Sequence, residues 1–235
     1  MAKKMKETVD FDTIVATDVG ERIFDARKDI KNIMITGGAG FIASYLVRKF
    51  VFTYPEYNIV NVDKIDYCSS LNNVKHLEGK PNYSFVKADI TDMDAMLKLM
   101  KLRQIDAIFN LAAQTHVDNS FGNSAEFTYN NVMGTHVLLE AARVQKIKLF
   151  VHISTDEVYG EVAHGGADLI EQSLLSPTNP YAATKGAAEM LVGAYHKSFK
   201  IPCIITRSNN VYGPYQFPEK IIPKFVNLLK SGKKW

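Results

Sequence analysis

The stretch NIMITGGAGFIA, Asn32 to Ala43, decides the fold. Asn32–Thr36 is a short apolar strand that runs into a glycine cluster, and Phe41–Phe52 continues with helical spacing. Glycine allows the tight strand-to-helix turn and lets backbone N–H groups approach a pyrophosphate at the helix N-terminus. The third small position of such a turn packs helix against strand; here it is Ala43, which that role tolerates. Asp63, 23 residues past Gly40, ends a second strand at Asn58–Asp63. A carboxylate at that strand end can accept from an adenosine ribose. A plain structural glycine turn would not require this partner. Gly37, Gly38, Gly40, Phe41, Ile42 and Asp63 are therefore expected to hold a dinucleotide. The acid favours NAD over NADP because it repels a 2′-phosphate, a preference that neighbouring Lys64 tempers.

The same alternation continues outward. Tyr83–Asp89 reads as a third strand followed by a helix from about Asp92 to Leu102. Asp106–Ala112 is a fourth, with a long helix from about Ser124 to Val144. Lys148–Ser154 is a fifth, then a loop and a helix over Pro180–Phe199, and Pro202–Thr206 is a sixth. Short strands alternating with longer helices are the pattern of repeated βαβ units. The strands are continuous apolar runs, as expected where helices cover both sheet faces. The fold class is α/β, a doubly wound, mostly parallel sheet whose ligands sit outside the strands' carboxyl ends. Residues 1–30 hold seven acids and six bases without a clean period. They read as an extension, with a short helix near Asp18–Asp29, ahead of a domain over 31–235.

Composition narrows the class. The 235 residues are 46% hydrophobic and 23% charged with a net charge of +3, which suits a globular domain and excludes wholesale disorder. No basic block with interleaved aromatics argues for nucleic acid. No apolar run exceeds three residues, so no membrane span is expected, and the acidic N-terminal stretch suits neither a signal nor a transit peptide. Two cysteines, Cys68 and Cys203, fit a reducing compartment, and a cytoplasmic location is expected. His116 and His136 are isolated, and no metal site is expected.

Further chemistry-bearing residues fall at strand ends. Asp89 and Ile90 would border an adenine, and Leu111, Ala112, Ala113 and Thr115 the cofactor's far half. Tyr181 and Lys185 lie four apart, so both project from one helix face. An ammonium beside a phenol favours the phenolate, which can take a hydroxyl proton as hydride leaves the same carbon. That spacing alone is uninformative, since Tyr45 and Lys49 share it; position after the fifth strand, past Asn179-Pro180, distinguishes Tyr181. Thr155-Asp156-Glu157 follows the fifth strand, offering a hydroxyl, an acid and a base. Asn209, Asn210, Tyr212, Gly213 and Pro214, with Lys220, could bind a sugar or phosphate.

Together the glycine turn, the Tyr181/Lys185 pair, HISTDEVYG (His152–Gly160) and NNVYGPYQFPEKIIPKF (Asn209–Phe225) resemble the extended short-chain dehydrogenase/reductase superfamily. Within it they resemble nucleotide-sugar 4,6-dehydratases of the dTDP-D-glucose kind, from about Lys31 to the last residue. The most specific element is Asp156-Glu157, since related epimerases and decarboxylases typically lack this aspartate.

The resemblance implies a lyase that uses NAD on dTDP- or UDP-glucose. Tyr181, helped by Lys185, would take the 4-hydroxyl proton and Thr155 would hold that oxygen. Glu157 would remove the C5 proton and Asp156 would protonate the departing C6 hydroxyl. Lys64 and Asn130 would join the cofactor contacts, and Asn210, Lys220 and Ile221 would contact substrate. A homodimer through the nucleotide-binding domain's helices is also implied. Alternatives are an epimerase or decarboxylase of the same fold, or a non-catalytic NAD-binding fragment. Family members continue well beyond the position of Trp235. The smaller C-terminal substrate domain is therefore expected to be largely missing, and the 235-residue chain to be nearly inactive while keeping cofactor affinity.

Overall fold

The computed structural model describes residues 19–234 apart from 162–164, 166 and 167. Six strands form one sheet: β1 (Asn32–Thr36), β2 (Asn58–Asp63), β3 (Tyr83–Lys87), β4 (Ala107–Asn110), β5 (Leu149–Thr155) and β6 (Cys203–Ser208). Their order is β3-β2-β1-β4-β5-β6 and every pairing is parallel. The chain runs outward from β1 to β3, returns, and continues from β4 to β6, so the switch in direction lies between β1 and β4. A ligand crevice opens at such a point, beyond the carboxyl ends.

The helices are α1 (Phe41–Thr53), α2 (Met93–Arg103), α3 (Val117–Gly122), α4 (Ser124–Phe127), α5 (Gly134–Gln145), α6 (Pro180–Phe199) and α7 (Ile221–Lys230). Strand periodicity sorts the core into two layers. Ile33, Ile35 and Ile59 pack with Val47, Phe50, Val51 and Tyr54 on the α1 side. Met34, Val60, Ile108 and Phe150 pack with Met96, Leu138 and Val192 on the other.

Local chemistry sets the element ends. β4 stops at Asn110, short of the expected Ala112, because Leu111 N and Ala112 N donate to Thr36 Oγ1 at 3.2 and 3.1 Å. β3 stops at Lys87 and the chain turns at Asp89, whose Oδ1 accepts from Thr91 N and Oγ1, both at 2.9 Å. The long helix expected over Ser124–Val144 is interrupted by a π-helical turn at Thr128–Met133. Such insertions favour functional sites, and this one carries Asn130 and Asn131. The expected helix near Asp18–Asp29 is absent over residues 19–29. There Phe24 stacks on Tyr54 at 4.6 Å, Arg27 N donates to the Tyr57 hydroxyl at 2.7 Å, and Ile30 is buried. Aromatic anchors just past α1, Tyr54 and Tyr57, replace internal helical bonds.

β6 is an edge strand with Ile204 half exposed, and no residue of α7 is buried. No helix among the described residues is long and apolar enough to cross a membrane. Phe150 is fully buried at the centre of the second layer. Phe150→Ala should therefore cost about 3–5 kcal/mol, read as a lower urea midpoint; an unchanged midpoint would contradict this placement.

Candidate active site

The glycine turn is shaped by contacts that exclude side chains. Gly37 has φ +74, and a Cβ there would lie 2.9 Å from Ala112 Cα. A Cβ on Gly38 would fall 2.1 Å from Asn61 Oδ1. Gly40 caps α1 with no side-chain hydrogen bond, leaving the first-turn N–H groups to a ligand. Asp63 is buried at the end of β2; its Oδ2 accepts from Ala39 N at 3.0 Å and its Oδ1 from Ile65 N at 2.8 Å. The carboxylate thus orients the glycine loop, and each oxygen keeps a lone pair. A side-chain-free cradle, an uncapped helix N-terminus and an acid at the next strand end fit a dinucleotide.

Lys64 is compensated. Its Nζ donates to Asn130 Oδ1 at 3.1 Å and lies 3.3 Å from Asp66 Oδ2 and 3.8 Å from Asp89 Oδ2. From Asn130 the network continues: Asn130 Nδ2 donates to Asn131 Oδ1, and Asn131 Nδ2 to Gln114 O and Thr184 Oγ1. Gln114 returns a bond to Asn131 and reaches Asp66. The π-helical turn thus ties the ends of β2, β3 and β4 to α6. Ile90 packs so closely on Gly134 that a Cβ there would lie 2.5 Å from Ile90 Cδ1.

Thr155, Asp156, Glu157 and Tyr181 come together at the carboxyl end of β5. Thr155 Oγ1 donates to Asp156 Oδ1 and accepts from Glu157 N, each at 3.3 Å, and is hydrogen-bonded with Tyr181. Burial pushes the Tyr181 phenol up to about 12; the Glu157 and Asp156 charges add to this and the Thr155 bond opposes it. Asn179, the N-cap of α6, donates from Nδ2 to Glu157 Oε2 at 3.0 Å and accepts from Ala182 N at 2.8 Å.

Lys185 behaves differently from the simple ammonium–phenol pair expected of the spacing. Its Nζ donates to Ile153 O at 2.6 Å, and burial, against the pull of Glu189, brings it down to about 8. The buried His152 imidazole, faced by Asn110 Nδ2 at 3.2 Å, is kept neutral by burial and by the Lys185 charge. Glu189 is itself held by Arg207, with both carboxylate oxygens engaged. Arg207 also donates to the Tyr159 hydroxyl at 2.6 Å, joining α6, β6 and the turn after Glu157.

The Asn209–Lys220 loop lies against α1. Tyr45 donates to Pro214 O at 3.1 Å, and the buried Arg48 guanidinium sits 4.0 Å from the Tyr45 ring and 5.4 Å from that of Tyr215. Lys220 Nζ donates to Thr115 O at 3.4 Å, bringing this residue to the cofactor side; Asn210 and Ile221 remain exposed. A cleft of about 380 Å³ beside Tyr67, Gln114, Asp118, Asn119, Glu126 and Phe127 opens next to the site, with the Phe127 ring edge-on to Tyr181. Among the described residues no group of three His, Cys, Asp or Glu could hold a metal. Sequence reasoning missed Asn131, Gln114, Asn179 and Arg207; only Asn179, preceding Pro180 at a helix start, carried a local signal.

Fold and site together define a Rossmann-like protein of the extended short-chain dehydrogenase/reductase class. The profile of the GDP-mannose 4,6 dehydratase family matches residues 34–235. This chain belongs to that family. It is 57% identical over 205 residues to a trifunctional UDP-glucose 4,6-dehydratase/UDP-4-keto-6-deoxy-D-glucose 3,5-epimerase/UDP-4-keto-L-rhamnose-reductase of Arabidopsis thaliana, covering 86% of this chain and 31% of that protein. It is 50% identical over 204 residues to the dTDP-D-glucose 4,6-dehydratase of Homo sapiens, covering 87% and 58%. The crystal structure of dTDP-glucose 4,6-dehydratase from Bacillus anthracis in complex with NAD superposes with a TM-score of 0.79 at 41% identity, covering 87% of this chain and 63% of that one. The chain thus spans under two thirds of each of these relatives' length.

The lysine yields a pH signature. Lys185 releases its proton at about 8 when folded but near its ordinary value of 10.5 when unfolded. Between these the unfolded state holds more protons, so Lys185 adds stability as pH rises through that window. The urea midpoint of the wild type should therefore rise relative to that of Lys185→Met from pH 8 to 10. A constant difference would contradict the depressed value.

Proposed function

We propose that this chain carries the NAD-binding and catalytic part of a nucleotide-sugar 4,6-dehydratase acting on dTDP- or UDP-glucose. The observation that carries the reading is the convergence of Thr155, Asp156, Glu157 and Tyr181 at one strand end. Residues Gly37–Ile42, Asp63, Lys64, Asp89, Ile90, Leu111–Ala113, Thr115, Asn130, Tyr181 and Lys185 would hold the cofactor. When bound, NAD supplies a reversible hydride acceptor and a positive charge that favours the phenolate of Tyr181.

The chain's own groups divide the proton work. Tyr181 takes the proton of the sugar 4-hydroxyl, and Thr155 holds that oxygen. Ketone formation at C4 acidifies the C5 hydrogen, which the Glu157 carboxylate removes. Asp156 gives a proton to the departing C6 hydroxyl, completing loss of water. Lys185, anchored on Ile153 O, provides buried positive charge behind Tyr181. Lys220, Asn210 and Ile221 contribute to holding the substrate. A dinucleotide site with one acid, one base and one phenol is what such an elimination needs; an epimerase has no use for the added acid. The reading extends to a cytoplasmic location and to a homodimer through α5 and α6, which expose Val144, Met190 and Phe199.

Two measurements test the reading. In the full-length enzyme, Glu157→Gln keeps size and hydrogen bonding but cannot accept a proton, so turnover of dTDP- or UDP-glucose should fall by about 10²–10⁴; wild-type turnover would remove Glu157 from the mechanism. Calorimetry should show NAD bound more tightly than NADP, and the reverse order would overturn the role of Asp63.

A further inference from the structure

One amide side chain spans the two halves of the catalytic set. Asn179 opens α6 in an extended conformation, φ −137 and ψ 161, with Pro180 following at the first helical position. Its Oδ1 accepts from Ala182 N at 2.8 Å, which caps the helix carrying Tyr181 and Lys185. Its Nδ2 donates to Glu157 Oε2 at 3.0 Å, on the separate turn that carries Asp156 and Glu157. The capping task requires only an acceptor, and Ser, Asp and Asn perform it about equally. An amide alone offers, at the opposite end of the same planar group, a neutral donor. The residue type therefore exceeds what the helix needs, and the surplus is aimed at the carboxylate.

The surroundings explain why a neutral donor suits this place. Glu157 stands beside Asp156 and near the Tyr181 hydroxyl, whose pKa is raised first by burial and then by both carboxylates. Its backbone is held on either side, Glu157 N by Thr155 Oγ1 at 3.3 Å and Glu157 O by Gly160 N at 3.0 Å. The side chain is long and rotamer-rich, and the bond from Asn179 fixes one carboxylate oxygen. Among the described residues, the other oxygen accepts no hydrogen bond.

We propose that Asn179 is a positioning residue for the elimination step: it couples the start of α6 to the Glu157 carboxylate, so that the C5 base and the Tyr181 phenol keep one mutual geometry. This rests on the assignment of Glu157 as the base. Asn179 acts through the Glu157 carboxylate, and its effect is on turnover and not on substrate affinity.

The test uses Asn179→Ser and Asn179→Asp in the full-length enzyme, with Glu157→Gln alongside. Both Asn179 variants keep the cap acceptor; Ser lacks the donor, and Asp places a like charge against Glu157. Both should melt at the wild-type temperature and keep KM for the sugar nucleotide. Their kcat, and solvent-deuterium incorporation at sugar C5, should fall about tenfold to a hundredfold, with Asp the lower of the two. Adding Asn179→Ser to Glu157→Gln should cost nothing further, since the positioned group is already gone. Wild-type kcat in both variants beside an inactive Glu157→Gln would overturn the inference and leave Asn179 a helix cap. Loss of activity only in proportion to loss of melting temperature would do the same. Full activity in Glu157→Gln would instead refute the functional reading on which the inference stands.

Discussion

The structure depends on one constraint: six strands hydrogen-bonded in parallel must all end at the same edge of the sheet. Every loop that leaves a strand then opens on one surface. The turn at β1 reverses relative to that at β4, which leaves a gap between them. The glycine turn, Asp63, the Thr155–Glu157 segment and the start of α6 are distant in the chain and adjacent in space for this reason. Three hydrogen bonds border the gap. Asp63 holds Ala39 N from the β2 side, and Thr36 Oγ1 holds Leu111 N and Ala112 N from the β4 side.

Around the gap, ionisable groups are buried with a consistent logic. A buried charge is costly unless paired. Glu189 is covered by Arg207 with both carboxylate oxygens engaged, and Lys64 is shared by Asp66, Asp89 and Asn130. Lys185 has a carbonyl partner and only the more distant pull of Glu189, so burial lowers its proton affinity. Tyr181 is pushed the other way by burial and by two carboxylates. The phenol and the ammonium are thus moved toward their neutral forms. A cation entering beside Tyr181 would have a large effect on it, because in a low-dielectric site each charge acts strongly.

The chain spans under two thirds of the length of the relatives it matches. On the described surface, β6 leaves alternate residues open and no residue of α7 is buried. The cofactor half of the crevice is assembled from strand ends internal to the sheet. The Asn209–Lys220 loop beside it is held by stacking of Tyr45, Arg48 and Tyr215 and by the Lys220–Thr115 bond.

Much of this was legible along the chain because it follows local rules. β1, β2 and α6 have the bounds their apolar runs and flanking Gly, Asn and Pro residues prescribe, and strand–helix alternation permits little besides a parallel sheet. The paired signal of Gly37–Gly40 with Asp63 likewise needs only two strand ends. Non-local partners were not legible. No periodicity announces that Thr36 will shorten β4, that Asn130 and Asn131 sit in a π-helical turn, or that Lys185 will bond Ile153 O instead of serving Tyr181 directly. The sequence by itself determined the strand order's raw material, the glycine cradle and the list of reactive side chains, since these depend on neighbours within a few residues. Only the tertiary structure decided which of those side chains meet, how far burial shifts their protons, and that Asn179 links Glu157 to α6. Those properties arise from distances and desolvation between segments that the chain brings together only on folding.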